Sequence, residues 1–255
     1  MVSFVRVKRG NQPVIVSFPH SGTIMPDEVV KSVAKGVLFP GTDWYLPRLF
    51  SFVGKMGCRV VENTISRHVI DVNRSQLAGI GHPNQCLVYT KNTMGRDIYT
   101  VNPDKAEMHR RIDAYYKPYH DAIADEIADA GEKVWLFDIH SFAMGSTADI
   151  VLGNHNGKTM KEKHFLAIAD IFTENGFAVA LNQPFKGGYV TKHHGNAERV
   201  EAVQIELNYQ SYIAKRRFGN EENPAVDNAL WEDCRARLEK SSEKIIEYIK
   251  TENHS

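Results

Sequence analysis

Three apolar stretches of the sequence each end in a side chain that can bind a metal ion or accept a proton. These side chains are His20, His140 and Glu206, and each follows residues typical of a buried β-strand. Two histidines and a carboxylate, with an open position for water, form the usual ligand shell of a catalytic zinc ion. The residue types therefore indicate a hydrolytic metal centre that is assembled from distant segments.

The sequence leaves three candidates for the third metal ligand. Asp43 is the preferred one, although an acid at a predicted helix start also suits the helix dipole without any metal. Glu28 and Asp138 are the competitors. Asp138 precedes His140 by two residues, so on a strand both side chains point to one face. Asp138 could therefore be a ligand, or it could accept a hydrogen bond from a ligand histidine.

The segment 66–75 contains two arginines, Arg67 and Arg74, with Asn73 next to the second. A guanidinium group presents a planar fork that suits a carboxylate or a developing oxyanion. These side chains could clamp an anionic substrate. Spacing alone favours the plainer interpretation, which is a solvated loop with an ion pair between Asp71 and an arginine.

Glu206 lies in an otherwise apolar stretch. Loss of hydration in such a place raises the pKa of a carboxylic acid, as a general base that works near neutral pH requires. An ion pair with a buried lysine or arginine is an equally good interpretation of the same residue.

The segment 185–195 contains adjacent glycines, which permit a tight turn or a close approach to a ligand. Tyr189, Thr191 and His193 could donate or accept hydrogen bonds to a substrate. The pair formed by His193 and His194 could also bind a metal, but neighbouring side chains on an extended segment diverge. A substrate-binding loop is therefore the preferred interpretation.

The elements that must position these residues alternate between strand and helix. Strands are predicted over 13–18, 58–62, 133–139, 148–152, 177–181 and 203–207. Helices are predicted over 42–56, 103–131 with a kink at Pro118, 159–175 and 224–250. This alternation predicts one α/β domain, residues 1–255, with a mixed, mostly parallel sheet covered by helices on both faces. Ligands bind such sheets outside the carboxyl ends of the strands.

The bulk composition excludes several classes of protein. In 255 residues, 31 Lys and Arg balance 31 Asp and Glu, and no basic stripe suggests a nucleic-acid partner. No apolar window is long enough to span a membrane, and the first residues lack the apolar region of a signal peptide. Three cysteines, without C-x-x-C spacing, favour a reducing cytoplasm. Nothing in the sequence indicates an oligomeric state.

Six blocks of sequence together resemble the N-formylglutamate amidohydrolase (formylglutamate deformylase) family. They occur in the family's order and span about residues 13–212. The blocks are Pro19-His20-Ser21-Gly22, Thr42-Asp43-Trp44, Ser66-Arg67 through Asp71-Val72-Asn73-Arg74, Asp138-Ile139-His140-Ser141, Phe185 through His193, and Gln204-Ile205-Glu206-Leu207. That family is similar to the zinc carboxypeptidases and aspartoacylases, so the resemblance implies their α/β fold.

The resemblance implies a zinc enzyme that hydrolyses N-formyl-L-glutamate to formate and L-glutamate, with another divalent metal as the alternative. It implies His20 and His140 as metal ligands and Glu206 as the general base. The carboxypeptidases place a glutamate ligand three residues after the first histidine, whereas this chain has Thr23 there. The third ligand must therefore come from elsewhere.

The resemblance also implies how the substrate is held. Asn73 and Arg74 would hold a substrate carboxylate, and Arg67 would face the oxygen of the carbonyl that is attacked. An amidase or carboxypeptidase acting on another N-acyl amino acid or small peptide would use the same clamp. A non-catalytic binding protein with this fold is disfavoured, because it would have little reason to keep every one of these side chains.

Overall fold

The computed structural model describes residues 4–83, 85–143, 147–213 and 223–253. In chain order the strands are β1 (Val5–Lys8), β2 (Val14–Phe18), β3 (Arg59–Asn63), β4 (Ile80–Gly81), β5 (Val88–Tyr89), β6 (Val134–Phe142), β7 (Ile150–Gly153), β8 (Val179–Leu181) and β9 (Val200–Asn208). The helices are α1 (Asp27–Val30), α2 (Leu46–Leu49), α3 (Lys105–Arg111), α4 (Lys117–Asp129), α5 (Glu162–Glu174), α6 (Tyr189–His194) and α7 (Asn228–Asn253).

The central sheet has the strand order β1-β3-β2-β6-β9-β7-β8. Strands β3, β2, β6 and β9 run parallel to one another, while β1 and β7 pair antiparallel with β3 and β9. The predicted mixed, mostly parallel sheet is therefore confirmed. All six predicted strands are present, with ends shifted by a few residues. β1 was missed because it is a short edge strand whose side chains are largely exposed.

The sheet separates two apolar cores. Val16, Phe137 and other residues of one face pack against α2, α5 and α7. The opposite face, which includes Ile15 and Leu136, packs against α3, α4 and the turn between them. Helices therefore cover both faces, as predicted, and this layering supports a single domain. No helix of the described residues is long and apolar enough to cross a membrane.

The helix predicted over 42–56 is largely wrong. Only the four residues of α2 are α-helical, and Tyr45 immediately before them has a left-handed backbone with φ 63°. This conformation separates the preceding residues from the helix. The backbone N–H of Asp43 donates instead to the carbonyl of His20, at 3.0 Å. Asp43 is thus fixed in a loop beside the end of β2.

The long helix predicted over 103–131 is interrupted close to the expected place. Ile112–Tyr116 form a π-helical turn between α3 and α4, and Pro118 lies in the first turn of α4. Proline cannot donate a helical hydrogen bond, and its ring crowds the carbonyl four residues earlier. A π-helical turn accommodates that lost bond.

The other helical predictions are closer to the structure. The ends of α5 and α7 differ from the predicted ends by one to four residues. On α7 the residues Cys234, Leu238, Ile245 and Ile246 form a buried apolar stripe, together with Trp231. The segment 185–195, interpreted from the sequence as a loop, contains α6.

Candidate active site

The polar ends of β2, β6 and β9 meet at one edge of the sheet. In the parallel pairing of β6 with β9, His140 lies opposite Glu206 and Asp138 lies opposite Gln204. The expected convergence of distant segments is thus present. A cavity of about 610 Å³ opens at this edge. The predicted site residues among those lining it are His20, Asp43, Arg67, Asn73, Arg74, His140 and Glu206.

One ring nitrogen of His20 contacts the buried Asp71, and the other faces Asp43 on the cavity wall. Its Nε2 lies 2.6 Å from Oδ1 of Asp71. Its Nδ1 lies 3.8 Å from Oδ2 of Asp43. Burial, with the nearby charge of Arg67, lowers the pKa of His20 to about 4 despite the opposing effect of Asp71. The ring is therefore neutral near pH 7, with Nε2–H donating to Asp71 and a lone pair on Nδ1.

His140 has the same arrangement with different partners. Its Nε2 lies 3.0 Å from Oδ2 of Asp138, and its Nδ1 lies 3.0 Å from Oδ2 of Asp43. Burial opposes a charge on this ring, but Asp138 and Asp43 raise the pKa of His140 well above its usual value, with a further contribution from Glu206. The surrounding carboxylates therefore favour a cation at this position.

His20, Asp43 and His140 form a buried group whose potential ligand atoms all lie within 4.8 Å of one another. Two imidazole nitrogens and one carboxylate oxygen on the wall of an open cavity are a donor set that fits a zinc-type divalent ion. Buried carboxylates hold the far nitrogens of both histidines, as is usual behind metal ligands. These residues could therefore hold a metal ion.

The two competitors for the third ligand are placed differently. Asp138 contacts the Nε2 side of His140, and its Oδ1 accepts a hydrogen bond from Ser17 at 2.8 Å. It lies behind the imidazole, on the side away from Asp43. Glu28 is exposed on α1 and accepts hydrogen bonds from Tyr115 and Arg110. Glu28 is not among the residues that line the cavity.

Asp71 is a site residue whose role the sequence argument missed. The predicted ion pair is present, because Nη2 of Arg67 donates to Oδ2 of Asp71 at 3.0 Å. The loop is not solvated, however, since Asp71 is fully buried and also accepts hydrogen bonds from Tyr89 and from the backbone of Asn73. Burial would raise the pKa of Asp71, but His20 and Arg67 hold it well below its usual value. The apolar neighbours of Asp71 in the sequence were the available signal.

Glu206 has the environment expected of a carboxylate with altered acidity. It is buried, and its Oε1 accepts a hydrogen bond from Nε2 of Gln204 at 2.8 Å. Burial raises the pKa of Glu206 to about 7, against the opposing effects of His140 and Arg67. A carboxylate in this state exchanges its proton near neutral pH, so it can act as a base and then as an acid.

The cavity wall also carries several cationic groups. Arg67, Arg74 and Lys186 all line it. Nη1 of Arg74 donates to the carbonyl of Asn73 at 2.8 Å, which orients the arginine along the wall. Three cations in one partly desolvated cavity create a positive potential that attracts an anionic ligand. The sequence argument did not select Lys186.

The side chain of Asn73 connects His140 to α6. Its Nδ2 lies 3.1 Å from Nε2 of His140, and its Oδ1 accepts a hydrogen bond from the backbone N–H of Val190 at 2.8 Å. Gly188 allows this approach, because a Cβ at that position would lie 2.1 Å from Nδ2 of Asn73. Gly188 is therefore required here for close packing against a cavity residue.

The remaining predicted substrate residues lie on α6. Tyr189, Thr191 and His193 are not among the residues that line the cavity. The Thr191 hydroxyl is buried and donates to the carbonyl of Gly188 at 2.9 Å. The part of this segment that does line the cavity is 184–188. The substrate-binding role of the three α6 residues stays a prediction.

The family model for N-formylglutamate amidohydrolase matches residues 12–213 of this chain. The chain belongs to that family. An N-formylglutamate deformylase from Pseudomonas aeruginosa is 30% identical over 223 residues, which cover 81% of this chain and 84% of that protein. An N-formylglutamate deformylase from Pseudomonas putida is 29% identical over 229 residues, which cover 80% and 83%. The resemblance inferred from the six sequence blocks is thus confirmed.

A solved structure shares the fold. The N-formylglutamate amidohydrolase of Ralstonia eutropha JMP134 matches with a TM-score of 0.83 at 24% identity, over 98% of this chain and 99% of that one. A gene product of Agrobacterium tumefaciens matches with a TM-score of 0.71 at 19% identity, over 96% and 94%. Membership of the N-formylglutamate amidohydrolase family makes the chain a hydrolase.

Proposed function

We propose that this enzyme hydrolyses the amide bond of N-formyl-L-glutamate to formate and L-glutamate, with a divalent metal ion, Zn²⁺, held by His20, Asp43 and His140. One observation carries the proposal. The Nδ1 atoms of both histidines face the same carboxylate, and the cavity wall beside them carries Glu206. The names of the curated relatives support the choice of substrate.

The metal is proposed from the donor set of this chain. Both histidines have their far nitrogen paired with a buried carboxylate, and their Nδ1 atoms face Asp43. When bound, such an ion polarises a carbonyl group and makes water acidic enough to lose a proton near neutral pH. Another divalent ion with similar preferences could serve, because availability as well as geometry selects the metal.

Glu206 is proposed to carry the proton. Its carboxylate takes a proton from the attacking water and delivers it to the nitrogen of the departing amine. A pKa of about 7 suits both steps, because neither the charged nor the neutral form is strongly favoured near neutral pH. Gln204 donates to one oxygen of this carboxylate and fixes its orientation.

The arginines are proposed to act on different parts of the substrate. Arg67, held by Asp71, stabilises the negative charge that develops on the oxygen of the attacked carbonyl. Arg74, with Asn73 beside it, holds a substrate carboxylate and so orients the amide bond toward the reacting groups. N-formylglutamate has two carboxylates, and Lys186 on the same wall can pair with the second.

A second candidate is hydrolysis of another N-acyl amino acid or a small peptide. The observation that favours it is the size of the cavity, about 610 Å³, which is in the range of sites for larger ligands. The cationic wall suits any substrate of this class that carries a free carboxylate.

A substrate panel tests the proposal and separates the two candidates. N-formyl, N-acetyl and N-succinyl derivatives of glutamate, glutamine and leucine would be supplied to metal-free and Zn²⁺-loaded enzyme, with the acid and the amine both measured. We expect turnover only in loaded enzyme, with N-formylglutamate as the best substrate. A better rate with a longer acyl group would favour the second candidate. Equal turnover in metal-free enzyme, or binding without turnover, would refute the proposed function.

A further inference from the structure

Three histidines form a second cluster at the contact between α4 and α6. His120 comes from α4, and His193 and His194 come from α6. Their potential ligand atoms all lie within 4.8 Å of one another. None of the three is among the residues that line the active-site cavity. We propose that they form a second binding site, for a transition-metal ion of the zinc type.

The ring of His120 is oriented as a metal ligand would be. Its Nε2 lies 2.9 Å from the carbonyl oxygen of Val72. A carbonyl can only accept, so Nε2 carries the hydrogen and the lone pair is on Nδ1. That Nδ1 lies 2.9 Å from Nε2 of His194. Metal-binding histidines commonly donate their other ring N–H to a backbone carbonyl, which fixes the tautomer in this way.

Aromatic neighbours hold the His120 ring in this orientation. The ring of Tyr116 lies with its centroid 4.4 Å away, and that of Tyr119 lies 5.7 Å away in an edge contact. His120 is 7% exposed, so its ring has little freedom to turn. The first ligand is therefore preorganised, which reduces the ordering cost of binding an ion.

The two histidines of α6 complete the cluster from the solvent side. The ring of His194 is nearly parallel to that of His120, with an interplanar angle of 20° and centroids 5.2 Å apart, and the two are joined through their nitrogens. His193 is nearly perpendicular to His120 at 5.5 Å. Nδ1 of His193 contacts the hydroxyl of Tyr189 at 3.2 Å, so Nε2 is its ligand atom. The helical conformation of α6 is what the sequence argument lacked, since it assumed an extended segment.

To bind an ion, the nitrogens of His120 and His194, which now point at each other, must separate and turn toward a shared point. Two nitrogens at about 2.0–2.1 Å from a tetrahedral zinc ion are roughly 3.3–3.4 Å apart. The 2.9 Å between His120 and His194 must therefore open by a few tenths of an ångström. His194 is only partly buried and His193 is exposed, so both can move by this amount.

The donor set selects the class of ion. Imidazole suits Zn²⁺, Cu²⁺ and Ni²⁺, whereas Mg²⁺ and Ca²⁺ require oxygen ligands. The cluster consists of three imidazoles, with water able to reach the exposed side at His193. The contact of Nε2 of His120 with the Val72 carbonyl leaves the lone pair of Nδ1 for an ion.

An ion at this site would join two elements that support the active site. His120 holds the carbonyl of Val72, and α6 holds the side chain of Asn73 through Val190. Both contacts hold the segment 72–74, which contributes Asn73 and Arg74 to the cavity. The second ion therefore has a structural role, because it cross-links α4 to α6 on either side of that segment.

The number of bound ions tests the proposal directly. Metal-free enzyme would be dialysed against a slight excess of Zn²⁺, and bound zinc per chain would be measured for the wild type, His194→Gln, His20→Ala and the double variant. The matched control is His109→Gln, which removes an exposed histidine of α3. We expect two ions in the wild type and the control, one in each single variant and none in the double variant.

The results separate this proposal from the active-site metal. If His194→Gln binds as many ions as the wild type, the second site is refuted, whatever His20→Ala does. If His20→Ala binds as many ions as the wild type while His194→Gln binds one fewer, the proposed active-site metal is refuted and the second site is supported. His193→Gln, which changes an exposed side chain, repeats the test should His194→Gln misfold. In the His20→Ala background, Zn²⁺ should raise the melting temperature, and it should not when His194 is also replaced.

Discussion

Nε2 of His20 lies 2.6 Å from Oδ1 of Asp71, and this contact determines which nitrogen of the imidazole faces Asp43. The same carboxylate accepts a hydrogen bond from Arg67 through its other oxygen. Asp71 therefore positions two residues with different proposed roles, His20 as a metal ligand and Arg67 at the carbonyl oxygen. Its buried position behind both side chains makes it the first target for substitution.

Asp71→Asn should weaken metal binding. The amide can still accept the imidazole N–H, but it removes the negative charge behind the ring and the ion pair to Arg67. Loss of a group that is hydrogen-bonded to a metal-binding histidine typically lowers metal affinity or activity by about 10–100-fold. Competition with a chelator would measure the affinity. Asp97→Asn, which breaks an exposed ion pair to Lys91, is the control and should change nothing. Unaltered metal affinity in Asp71→Asn would remove Asp71 from the account.

Arg74 and Arg67 should differ in the kinetic constant that they affect. A carboxylate clamp positions the substrate, whereas an oxyanion partner acts mainly in the transition state. Arg74→Ala should raise KM strongly and nearly abolish the preference for substrates with a free carboxylate. Arg67→Ala should lower kcat by about 10²–10³-fold. Metal content of both variants would be measured alongside, and an intact carboxylate preference in Arg74→Ala would show that the clamp lies elsewhere.

Gly188→Ala should impair catalysis without touching a proposed catalytic group. Its Cβ would meet the Asn73 amide at 2.1 Å, and Asn73 is tied to α6 and to His140. A misplacement of about 1 Å can cost roughly 10²-fold in rate. We expect a fall of that order in kcat/KM. Gly54→Ala is the control, since its Cβ would meet only the flexible end of Lys8. Equal activity of the two variants would contradict the argument.

Glu107 should stabilise the fold in a pH-dependent way. It pairs with Arg110 and with the buried Arg111, which donates to the carbonyl of Val69 at the base of the active-site loop. The hydrogen bond from Arg110 is the main cause that lowers the pKa of Glu107 to about 2. A lowered folded-state pKa means that the stabilisation is complete above the unfolded value of 4.5 and is lost as the pH falls toward 2.

Glu107→Gln should therefore lower the free energy of unfolding near pH 7 by about 1 kcal/mol, after allowance for solvent screening. Urea unfolding at pH 7, 4 and 2.5 would measure the difference between the variant and the wild type. The difference should shrink as the pH falls. A constant difference across this range would show that the charge of Glu107 does not contribute.

The sequence predicts the strand ends well because two strong physical signals coincide there. Buried parallel strands are continuous apolar runs, and a polar residue at the end of such a run stands out. His140 and Glu206 were found in this way, and their direct pairing across β6 and β9 follows once those strands are neighbours. The same reasoning places His20 beyond β2.

The parts that failed depend on contacts between distant segments. Asp71 looked like a surface ion-pair partner because its burial depends on Tyr89 and His20, which are far from it in sequence. The histidines of α6 looked divergent because the segment was taken as extended, whereas it is a helix that brings its histidines to His120, more than seventy residues earlier. The burial of Asp71 and the approach of these histidines to His120 both depend on which distant segments meet in the folded chain. The order of residue types along the sequence does not contain that information.

The most direct test of the account is the rate of Glu206→Gln. Glu206 is proposed to move the proton and not to bind the metal, so the variant should fold and hold the same zinc per chain at the active site as the wild type. Its kcat on N-formylglutamate should fall by about 10²–10⁴-fold or more, the usual contribution of general base catalysis. Glu198→Gln makes the same change at an exposed position just before β9 and should be fully active. Near wild-type turnover in Glu206→Gln with full metal content would contradict the proposed mechanism.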